Sequence, residues 1–438
     1  MVGLLVEKAG IVFVAIFHTL TRSFLLITVE LWEFLQQDPS RIVDQAVLQL
    51  LYEQGFLVEL GTDETAVYEA WKQRWLHEYM RNVVKSKVSI CRTCNLACTY
   101  CLLKPAPVVM SSEEARIMDR YYLNEIDKKR PVRVFDEYSG GELTLNIDVV
   151  LESASRRFHY CKDRTEYGFS IVTNMTLMTP SIIKRLKEVG LTRVRASLAG
   201  PQPVNDRLRM FPGGGPTYEI VMRNMDLISR MIPIRIECQY DAGSKDYLAL
   251  PEMMDDFSKR GIEVETFNFA PIMPRRGGTC FHAGVGDPHI GLYLAREAAR
   301  RGYPAFSDPP SSTCGVDLPN HYYFDADNAD NADNADTSIV ACAALDHGEM
   351  KIGDCTRGID LVCESQLLKR KSLDKCRTCD LGGLCLNGGC RLKALTDGNG
   401  FDGVDCQYET IKLFLHEYMR RKAEEAFDSV ETNVVPNT

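Results

Sequence analysis

The sequence predicts an α/β protein whose centre is a parallel sheet closed into a barrel or part of one. Short apolar strands alternate with amphipathic helices between about Val88 and Ala270, which is the pattern of a parallel sheet. In addition, nine of the sixteen cysteines lie from Cys314 onward, which indicates a separate cysteine-ligated region. The predicted strands are KVSI, VRVFDEYSGG, YGFSIVTN, RVRASLAG, IRIECQYD and VETFNFAP.

The first 85 residues predict a smaller unit ahead of this sheet. Two strands, GIVFVAIF and SFLLIT, are followed by helices over VELWEFLQQ and SRIVDQAVLQLLYEQGF, which carry apolar residues at helical spacing. A strand FLVEL and a polar helix DETAVYEAWKQRWLHEYM complete it. A hairpin joined to a helix-turn-helix is the pattern of a small winged-helix-like domain.

The composition indicates a soluble globular protein in a reducing compartment. A net charge of −9 disfavours nucleic acid and anionic membranes as partners, because both require a basic face. The apolar stretch 10–26 is interrupted by His18 and Arg22, so no run approaches the roughly 18 residues of a membrane span. No clear signal peptide precedes it. We therefore expect a cytoplasmic protein whose cysteines bind metal rather than form disulfides.

Residues 325–336 form a short acidic repeat, DADNADNADNAD. Such a segment cannot bury apolar surface, so it predicts a solvated insertion. Its alternating oxygens suit calcium, but the Gly and Glu of an EF-hand loop do not follow.

The sharpest motif is the run Cys94-Asn95-Leu96-Ala97-Cys98-Thr99-Tyr100-Cys101, directly after the strand KVSI. Three thiolates this close can bind three irons of a [4Fe–4S] cluster and leave the fourth iron open, whereas an electron carrier normally uses four cysteines. A zinc knuckle with Cys91 as fourth ligand is the alternative.

The loop closely resembles the CxxxCxxC motif of the radical S-adenosylmethionine (SAM) superfamily, including the aromatic Tyr100. Gly140, Gly141 and Glu142 resemble that family's GGE motif, whose backbone receives the methionine amine of SAM. The resemblance implies a partial (β/α)6 TIM-like barrel, with the cluster on Cys94, Cys98 and Cys101. It further implies that SAM chelates the open iron and is cleaved to a 5′-deoxyadenosyl radical.

Further matches follow along the barrel. Thr173 and Asn174 match the TN(G) segment, Ser197 the residue that hydrogen-bonds the SAM ribose, and Arg209 an arginine near the SAM carboxylate. Capping or surface roles remain open for Ser197 and Arg209. Three departures from the family pattern are Met175 in place of Gly, Ala199 in place of Asp and Asn205 in place of His. Gln239, Tyr240 and Asp241 are expected to face the pocket.

The C-terminal cysteines resemble the SPASM domain, although four residues instead of three precede the fourth cysteine. The resemblance implies two auxiliary [4Fe–4S] clusters, for a total of three, and a pair of zinc sites is the alternative. One cluster would use Cys314, Cys342, Cys355 and Cys390, and the other Cys376, Cys379, Cys385 and Cys406. The residues expected to be packing cysteines or spares are Cys161, Cys238, Cys280 and Cys363.

The N-terminal unit resembles the PqqD-like recognition element of maturases of ribosomally made peptides. This resemblance implies a domain over 1–85 that binds the leader of a precursor peptide, a radical SAM barrel over 86–300, and a SPASM domain over 301–438. A reductant such as flavodoxin or ferredoxin would supply the electron.

The sequence leaves other functions open. An anaerobic sulfatase maturase is one alternative, although those relatives tend to carry Asp where Thr356 stands. A noncatalytic iron–sulfur carrier or scaffold is another. Neither the bond that changes in the substrate nor a catalytic acid or base can be assigned from the sequence.

Overall fold

The structure, a computed structural model, describes residues 1–101, 103, 106–272, 287–312, 314–318, 320–326, 337–342, 351–370, 374–386, 388–396 and 398–429. Cys280 and residues 327–336, most of the acidic repeat, lie outside the described residues. Within the described part, no helix has both the length and the apolar character needed to cross a membrane.

The N-terminal unit is a three-stranded antiparallel sheet followed by three helices. Its elements are β1 (Val2–Lys8), β2 (Ile11–Phe17), β3 (Phe24–Thr28), α1 (Val29–Gln37), α2 (Gln45–Glu53) and α3 (Glu64–Asn82). The sheet order is β1-β2-β3, so β2 is central. Strand β1 was not expected; it folds back on β2 through Ala9 and Gly10, whose positive φ values (53° and 79°) suit a tight hairpin turn.

The prediction of a strand over FLVEL was wrong. The N–H groups of Phe56 and Leu57 donate to Leu51 O and thereby end α2, so this backbone is not available for a sheet ladder. Helix α2 also begins later than predicted, because the Asp44 side chain caps the N–H groups of Ala46 and Val47.

The central sheet confirms all six predicted strands. They are β4 (Val83–Cys91), β5 (Arg133–Gly140), β6 (Glu166–Thr173), β7 (Leu191–Leu198), β8 (Ile234–Tyr240) and β9 (Thr266–Pro271). Each pairs in parallel with the next, so their carboxyl ends meet at one edge. The helices of this part are α4 (Ser112–Lys129), α5 (Ile147–Cys161), α6 (Pro180–Glu188), α7 (Gln202–Leu208), α8 (Tyr218–Ile228), α9 (Leu250–Arg260) and α10 (Pro288–Arg300).

The C-terminal part extends this sheet instead of standing apart from it. Strand β10 (His321–Asp325) pairs in parallel with β4, and β11 (Ser338–Val340), β12 (Lys351–Asp354) and β13 (Gly358–Ile359) continue as antiparallel strands. The ten strands run in the order β13-β12-β11-β10-β4-β5-β6-β7-β8-β9. The remaining helices are α11 (Leu361–Leu368), α12 (Asp374–Arg377), α13 (Gly382–Cys385), α14 (Arg391–Thr396) and α15 (Tyr408–Asp428).

A buried ion network lies in the core between the sheet and its helices. Arg157 of α5 is fully buried, and its guanidinium contacts Asp119 at 2.7 Å, Asp136 at 3.2 Å and the Ser86 hydroxyl at 2.8 Å. The Tyr122 ring lies 4.5 Å from the guanidinium carbon. Because a buried charge is tolerated only when it is paired, this network ties α4, α5 and two strands into one arrangement.

The N-terminal sheet is covered on both faces. Helices α1 and α2 pack on one face through Leu31, Leu35, Val47 and Leu51, and α15 packs on the other. The segment between Cys379 and Cys385 also touches this unit, since the Thr19 hydroxyl donates to Asp380 O at 2.9 Å. The first 82 residues are therefore packed against the cysteine-rich C-terminal part.

Candidate functional site

A cavity of about 330 Å³ opens at the carboxyl ends of the parallel strands. It is lined by Cys94, Leu96, Cys98, Tyr100, Cys101, Leu103, Gly140, Gly141, Val172, Thr173, Asn174, Ser197, Arg209, Gln239, Ala270, Pro271 and Ile272. Ten of the eleven residues predicted to hold the SAM-binding cluster or SAM thus share one cavity. The exception is Glu142, which is fully buried behind the wall.

The three cysteines of the loop after β4 are brought together at this cavity. Burial raises the pKa of the Cys94 thiol, and the neighbouring charges of Glu142, Cys98 and Cys101 add to the shift. Backbone hydrogen bonds hold the loop against α7 and the residues after it, because Ala97 N–H donates to Met210 O and Thr99 N–H to Leu208 O. Three soft thiolates on one cavity wall fit the three protein ligands of a cluster with an open iron.

Cys91 does not join this group. Its thiol is buried away from the cavity and donates to the carbonyls of Glu142 (3.3 Å) and Thr93 (3.6 Å). Burial, reinforced by the charge of Glu142, raises the pKa of Cys91 to about 12, so it stays a neutral thiol. The orientation and neutral state of Cys91 disfavour its role as the fourth ligand of a zinc knuckle.

Gly140 and Gly141 are required where β5 meets the cysteine loop. A Cβ at Gly140 would lie 2.2 Å from Cys91 O, and a Cβ at Gly141 would lie 2.1 Å from Thr93 O. The close approach permits hydrogen bonds from Gly141 N–H to Cys91 O at 2.7 Å and from Glu142 N–H to Thr93 O at 2.9 Å. The glycines therefore position the loop that carries Cys94, in addition to lining the cavity.

Glu142 is a buried acceptor that joins the ends of β5 and β6. Its carboxylate accepts from the Thr144 hydroxyl (2.6 Å), the Thr173 hydroxyl (2.8 Å) and Asn174 N–H (2.7 Å). Asn174 in turn donates from its side chain to Asn95 Oδ1 at 2.8 Å and lies 3.9 Å from Cys94 Sγ. The GGE and TN motifs thus form one hydrogen-bonded support beneath the cysteine loop.

Tyr100, Arg209 and Gln239 form a polar wall on the other side of the cavity. Arg209 donates to the Tyr100 hydroxyl at 2.8 Å, and that hydroxyl donates to Gln239 Oε1 at 3.4 Å. Burial raises the pKa of Tyr100 to about 12, so it remains a neutral donor. The expectation for Tyr240 was wrong: alternation along β8 turns it away from the cavity, with Gln239 facing in. Asp241 instead accepts from Gly243 N–H in the turn beyond.

The departures from the family pattern have structural explanations at two positions. Met175 adopts a positive φ of 68°, the conformation that a glycine favours, and its side chain is fully buried. Asn224 secures this turn by donating to Met175 O at 2.8 Å. Asn205 is buried and links Ala199 N–H to the Thr217 hydroxyl, so it connects the end of β7 to the start of α8. Both residues shape the scaffold around the cavity.

The C-terminal cysteines form two neighbourhoods. Burial raises the pKa of Cys379, and nearby Cys385 and Cys376 contribute, which groups these three thiols. Burial likewise raises the pKa of Cys390, with Cys314 contributing, and Cys342 and Cys314 both raise that of Tyr323 in addition to its burial. Cys376, Cys379 and Cys385 belong to one predicted ligand set and Cys314, Cys342 and Cys390 to the other, and both ligand sets stay predictions.

The contacts described above do not include the other C-terminal thiols. Cys355 is buried in the turn after β12, and Cys406 is exposed just before α15. Cys161 and Cys238 are fully buried in the barrel core, as packing cysteines should be. None of the described cysteines forms a disulfide, and Cys363 lies in the first turn of α11.

Residues 88–238 match the family model described as the Radical SAM superfamily. The chain therefore contains a radical SAM domain, as the cysteine loop predicted. Among curated proteins, it is 31% identical over 217 residues to Fe-coproporphyrin III synthase of Methanosarcina barkeri, covering 48% of this chain and 47% of that protein. It is 27% identical over 191 residues to a serine-type anaerobic sulfatase-maturating enzyme of Bacteroides thetaiotaomicron, covering 42% and 44%. The chain spans about half the length of the curated relatives it matches.

Two solved structures resemble the fold over most of the chain. One is anSMEcpe with bound AdoMet, with a TM-score of 0.58 and 17% identity over 81% of this chain and 100% of that one. The other is Streptococcus suis SuiB bound to S-adenosylmethionine, with a TM-score of 0.54 and 14% identity over 93% and 98%. At these identities the likeness establishes a shared fold.

The lining residues that sequence reasoning missed are apolar: Leu96, Leu103, Val172, Ala270, Pro271 and Ile272. Alternation along β6 and β9 could have identified Val172 and Ala270, since each lies at the carboxyl end of a predicted strand. Leu103 and Ile272 line the cavity from loop segments, and Pro271 is the last residue of β9, so alternation does not identify these three.

Proposed function

We propose that this chain is a radical SAM maturase that modifies a ribosomally synthesised precursor peptide. The observation that carries the proposal is the cavity in which Cys94, Cys98 and Cys101 face Ser197 and Arg209. An enzyme needs a cavity of this kind to bind a substrate beside the cluster, whereas a pure electron carrier needs none. In this proposal one [4Fe–4S] cluster binds SAM and two auxiliary clusters occupy the SPASM cysteines.

The protein residues have separable tasks. Cys94, Cys98 and Cys101 ligate the cluster, while Ser197 and Arg209 orient the ribose and the carboxylate of SAM. When bound, the cluster and SAM would supply reductive, radical-based removal of a hydrogen atom from the substrate.

The remaining groups hold this arrangement in place. The Tyr100 hydroxyl keeps the Arg209 guanidinium at the cavity wall, at 2.8 Å. The apolar wall from Ala270 to Ile272 limits the access of water. The chain thus contributes positioning and exclusion of solvent.

The N-terminal sheet supports the proposal that the substrate is a peptide. Strands β1 and β3 each pair only with β2 in the described part of the chain, so both have a free edge to which an extended leader can add as a further strand. SuiB has been solved bound to the precursor peptide SuiA, and the likeness to SuiB extends over 93% of this chain. The likeness to anSMEcpe extends over 81%. We therefore assign 1–85 to leader recognition, 86–300 to the radical SAM barrel and 301–438 to the SPASM domain.

A sulfatase-maturase-like activity is the second candidate, favoured by the relative from Bacteroides thetaiotaomicron. Thr356 counts against a sulfatase-maturase activity, because it occupies the position at which an Asp that acts as the catalytic base is expected. In the structure its N–H donates to Asp354 in a turn, and the nearby carboxylate is thus engaged with backbone. A peptide with a leader and a sulfatase-derived peptide offered to the same enzyme would separate the two activities by mass spectrometry.

The decisive experiment measures 5′-deoxyadenosine after anaerobic reconstitution of the full chain with iron and sulfide, followed by SAM and dithionite. We expect turnover with the wild type and none when Cys94, Cys98 and Cys101 are all changed to alanine. Cys363→Ala removes a thiol outside both predicted ligand sets and should retain turnover. Protein that binds only zinc, or turnover that persists in the triple variant, would refute the proposal. Mass spectrometry of a peptide encoded beside the gene and co-expressed with the enzyme tests the substrate class.

A further inference from the structure

Below the cavity at the carboxyl ends of the strands, the same face of the sheet carries a row of polar and charged side chains. Arg195, Glu237 and Asn268 each lie two residues before Ser197, Gln239 and Ala270, which line the cavity. Because side chains alternate along a strand, each pair points to the same face. The other two members of this row, on β4 and β5, are Lys87 and Glu137.

The charges of this row are paired with one another. Lys87 Nζ lies 2.9 Å from Glu137 Oε1, and Arg195 bridges Glu137 and Glu237, contacting the latter at 2.8 Å. Asn268 donates to Glu237 at 3.0 Å. One layer further down, Arg193 and Arg235 share the carboxylate of Glu265 at 2.7 to 3.1 Å. The carboxylates of both layers are therefore engaged.

Lys85, on β4, is the cation of these two layers that is not paired with one of their carboxylates. In the part of the chain that the structure describes, its ammonium has no hydrogen-bond or carboxylate partner, and the Tyr79 ring lies 5.9 Å away. It lines a second cavity of about 230 Å³ together with Lys87, Phe135, Glu137, His321 and Tyr323. Burial and the Lys85 charge lower the pKa of His321 to about 4, so this histidine is neutral and supplies no competing charge.

The local charge balance is opposite to that of the whole chain. Among the described residues of the two layers, five cations face three carboxylates, which leaves an excess of two positive charges in a protein of net charge −9. The members are Lys85, Lys87, Arg193, Arg195 and Arg235 against Glu137, Glu237 and Glu265. Such a partly desolvated surface attracts an anion more strongly than an exposed lysine does.

We propose that the cavity around Lys85 binds a carboxylate side chain of the substrate peptide. The inference rests on the proposed function, since it assigns a recognition site for the same peptide. The aromatic walls Phe135 and Tyr323 and the small volume suit one Asp or Glu side chain.

The position of Lys85 also sets a spacing in the substrate. Lys85 is level with Phe135 in the β4–β5 register, and Gly140 at the first cavity lies five residues further along β5. At about 3.3 Å per residue this is a rise of about 17 Å, and an extended peptide spans it with about five residues. The acidic side chain should therefore stand about five positions from the residue that reacts.

The test uses the full-length reconstituted protein and two fluorescein-labelled peptides, Gly-Phe-Glu-Phe-Gly and its glutamine counterpart, with fluorescence anisotropy as readout. We expect the glutamate peptide to bind the wild type about tenfold more tightly, as one charge-assisted contact predicts. Lys85→Met should reduce the preference below twofold, and Lys85→Arg should preserve it. Lys184→Met, the same charge change on the exposed side of α6, should also preserve it.

Equal binding of the two peptides by the wild type would overturn the proposal, and this comparison needs no variant that could misfold. A preference that survives in folded Lys85→Met, or tighter binding of hexathymidylate than of the glutamate peptide, would also overturn it. Anisotropy does not require SAM cleavage. Absence of 5′-deoxyadenosine formation by the wild type would therefore refute the proposed function while the binding result is read separately.

Discussion

Gly141→Ala offers a direct test of how the end of β5 positions the cysteine loop. The added Cβ would lie 2.1 Å from Thr93 O, whereas real Cβ contacts stay beyond about 3.0 Å, so the Thr93 carbonyl must retreat by at least about 0.9 Å. The obstacle is backbone, and no side-chain rotation relieves it. Overpacking of this kind costs about 1–3 kcal/mol of stability.

The displacement falls on the residue next to Cys94. A shift of about 1 Å in a catalytic group can reduce turnover by about 100-fold. We therefore expect Gly141→Ala to form 5′-deoxyadenosine at least about tenfold more slowly and to bind less iron per chain. The assays are mass spectrometry of 5′-deoxyadenosine and iron analysis after anaerobic reconstitution.

Gly291→Ala is the matched control. Gly291 lies in α10, and a Cβ there would meet the Phe414 ring at an ordinary 3.5 Å. This change should leave turnover intact and stabilise the helix by roughly 0.5–1 kcal/mol. If Gly141→Ala kept the wild-type rate and iron content, the close approach of β5 to the loop would have no functional consequence and the reasoning would fail.

The ion network and His321 give two further predictions. Arg157→Met leaves Asp136 buried without its cation and Asp119 with Arg156 as its remaining cation, so it should lower the free energy of unfolding by about 3–5 kcal/mol, measured by urea unfolding; a loss no larger than that of the exposed Arg185→Met would contradict this. The folded state lowers the pKa of His321 from 6.5 to about 4, so below pH 6.5 the unfolded chain binds a proton that the folded chain does not. Stability should therefore fall between pH 6.5 and 4, by up to about 1.4 kcal/mol per unit, and His321→Gln but not His159→Gln should flatten this dependence in thermal melts.

The parts of the fold that local patterns specify were predicted well. Each parallel strand is a short apolar run that ends in polar residues, and each is followed by a helix with one apolar face, so all six strands could be located without tertiary information. Local patterns did not predict the pairing of strands that are far apart in sequence. Strand β10, which pairs with β4 across more than two hundred residues, was missed, because nothing in HYYFD specifies its partner.

The same distinction applies to the candidate site. The spacing of Cys94, Cys98 and Cys101 by itself indicated thiolates on a single loop, and the chain does place them in one cavity. Whether Cys91 joins them depended on which way its side chain points at the end of β4, and only the packing against Glu142 O decided that. Gln239, Tyr240 and Asp241 were all expected to face the pocket, but of these three residues only Gln239 lines the cavity, because alternation along β8 turns Tyr240 away.

The sequence alone determined the local chemistry: a thiolate loop after a strand, glycines at the end of the next strand, and a second group of cysteines further on. These depend on residue type and short spacing, which the chain carries directly. Only the tertiary structure decided that the C-terminal strands join the barrel sheet, that the first 82 residues pack against the cysteine-rich part, and that Lys85 has no carboxylate partner among the residues that the structure describes. Those features arise from contacts between distant segments, whose free energies depend on geometry that no local pattern encodes.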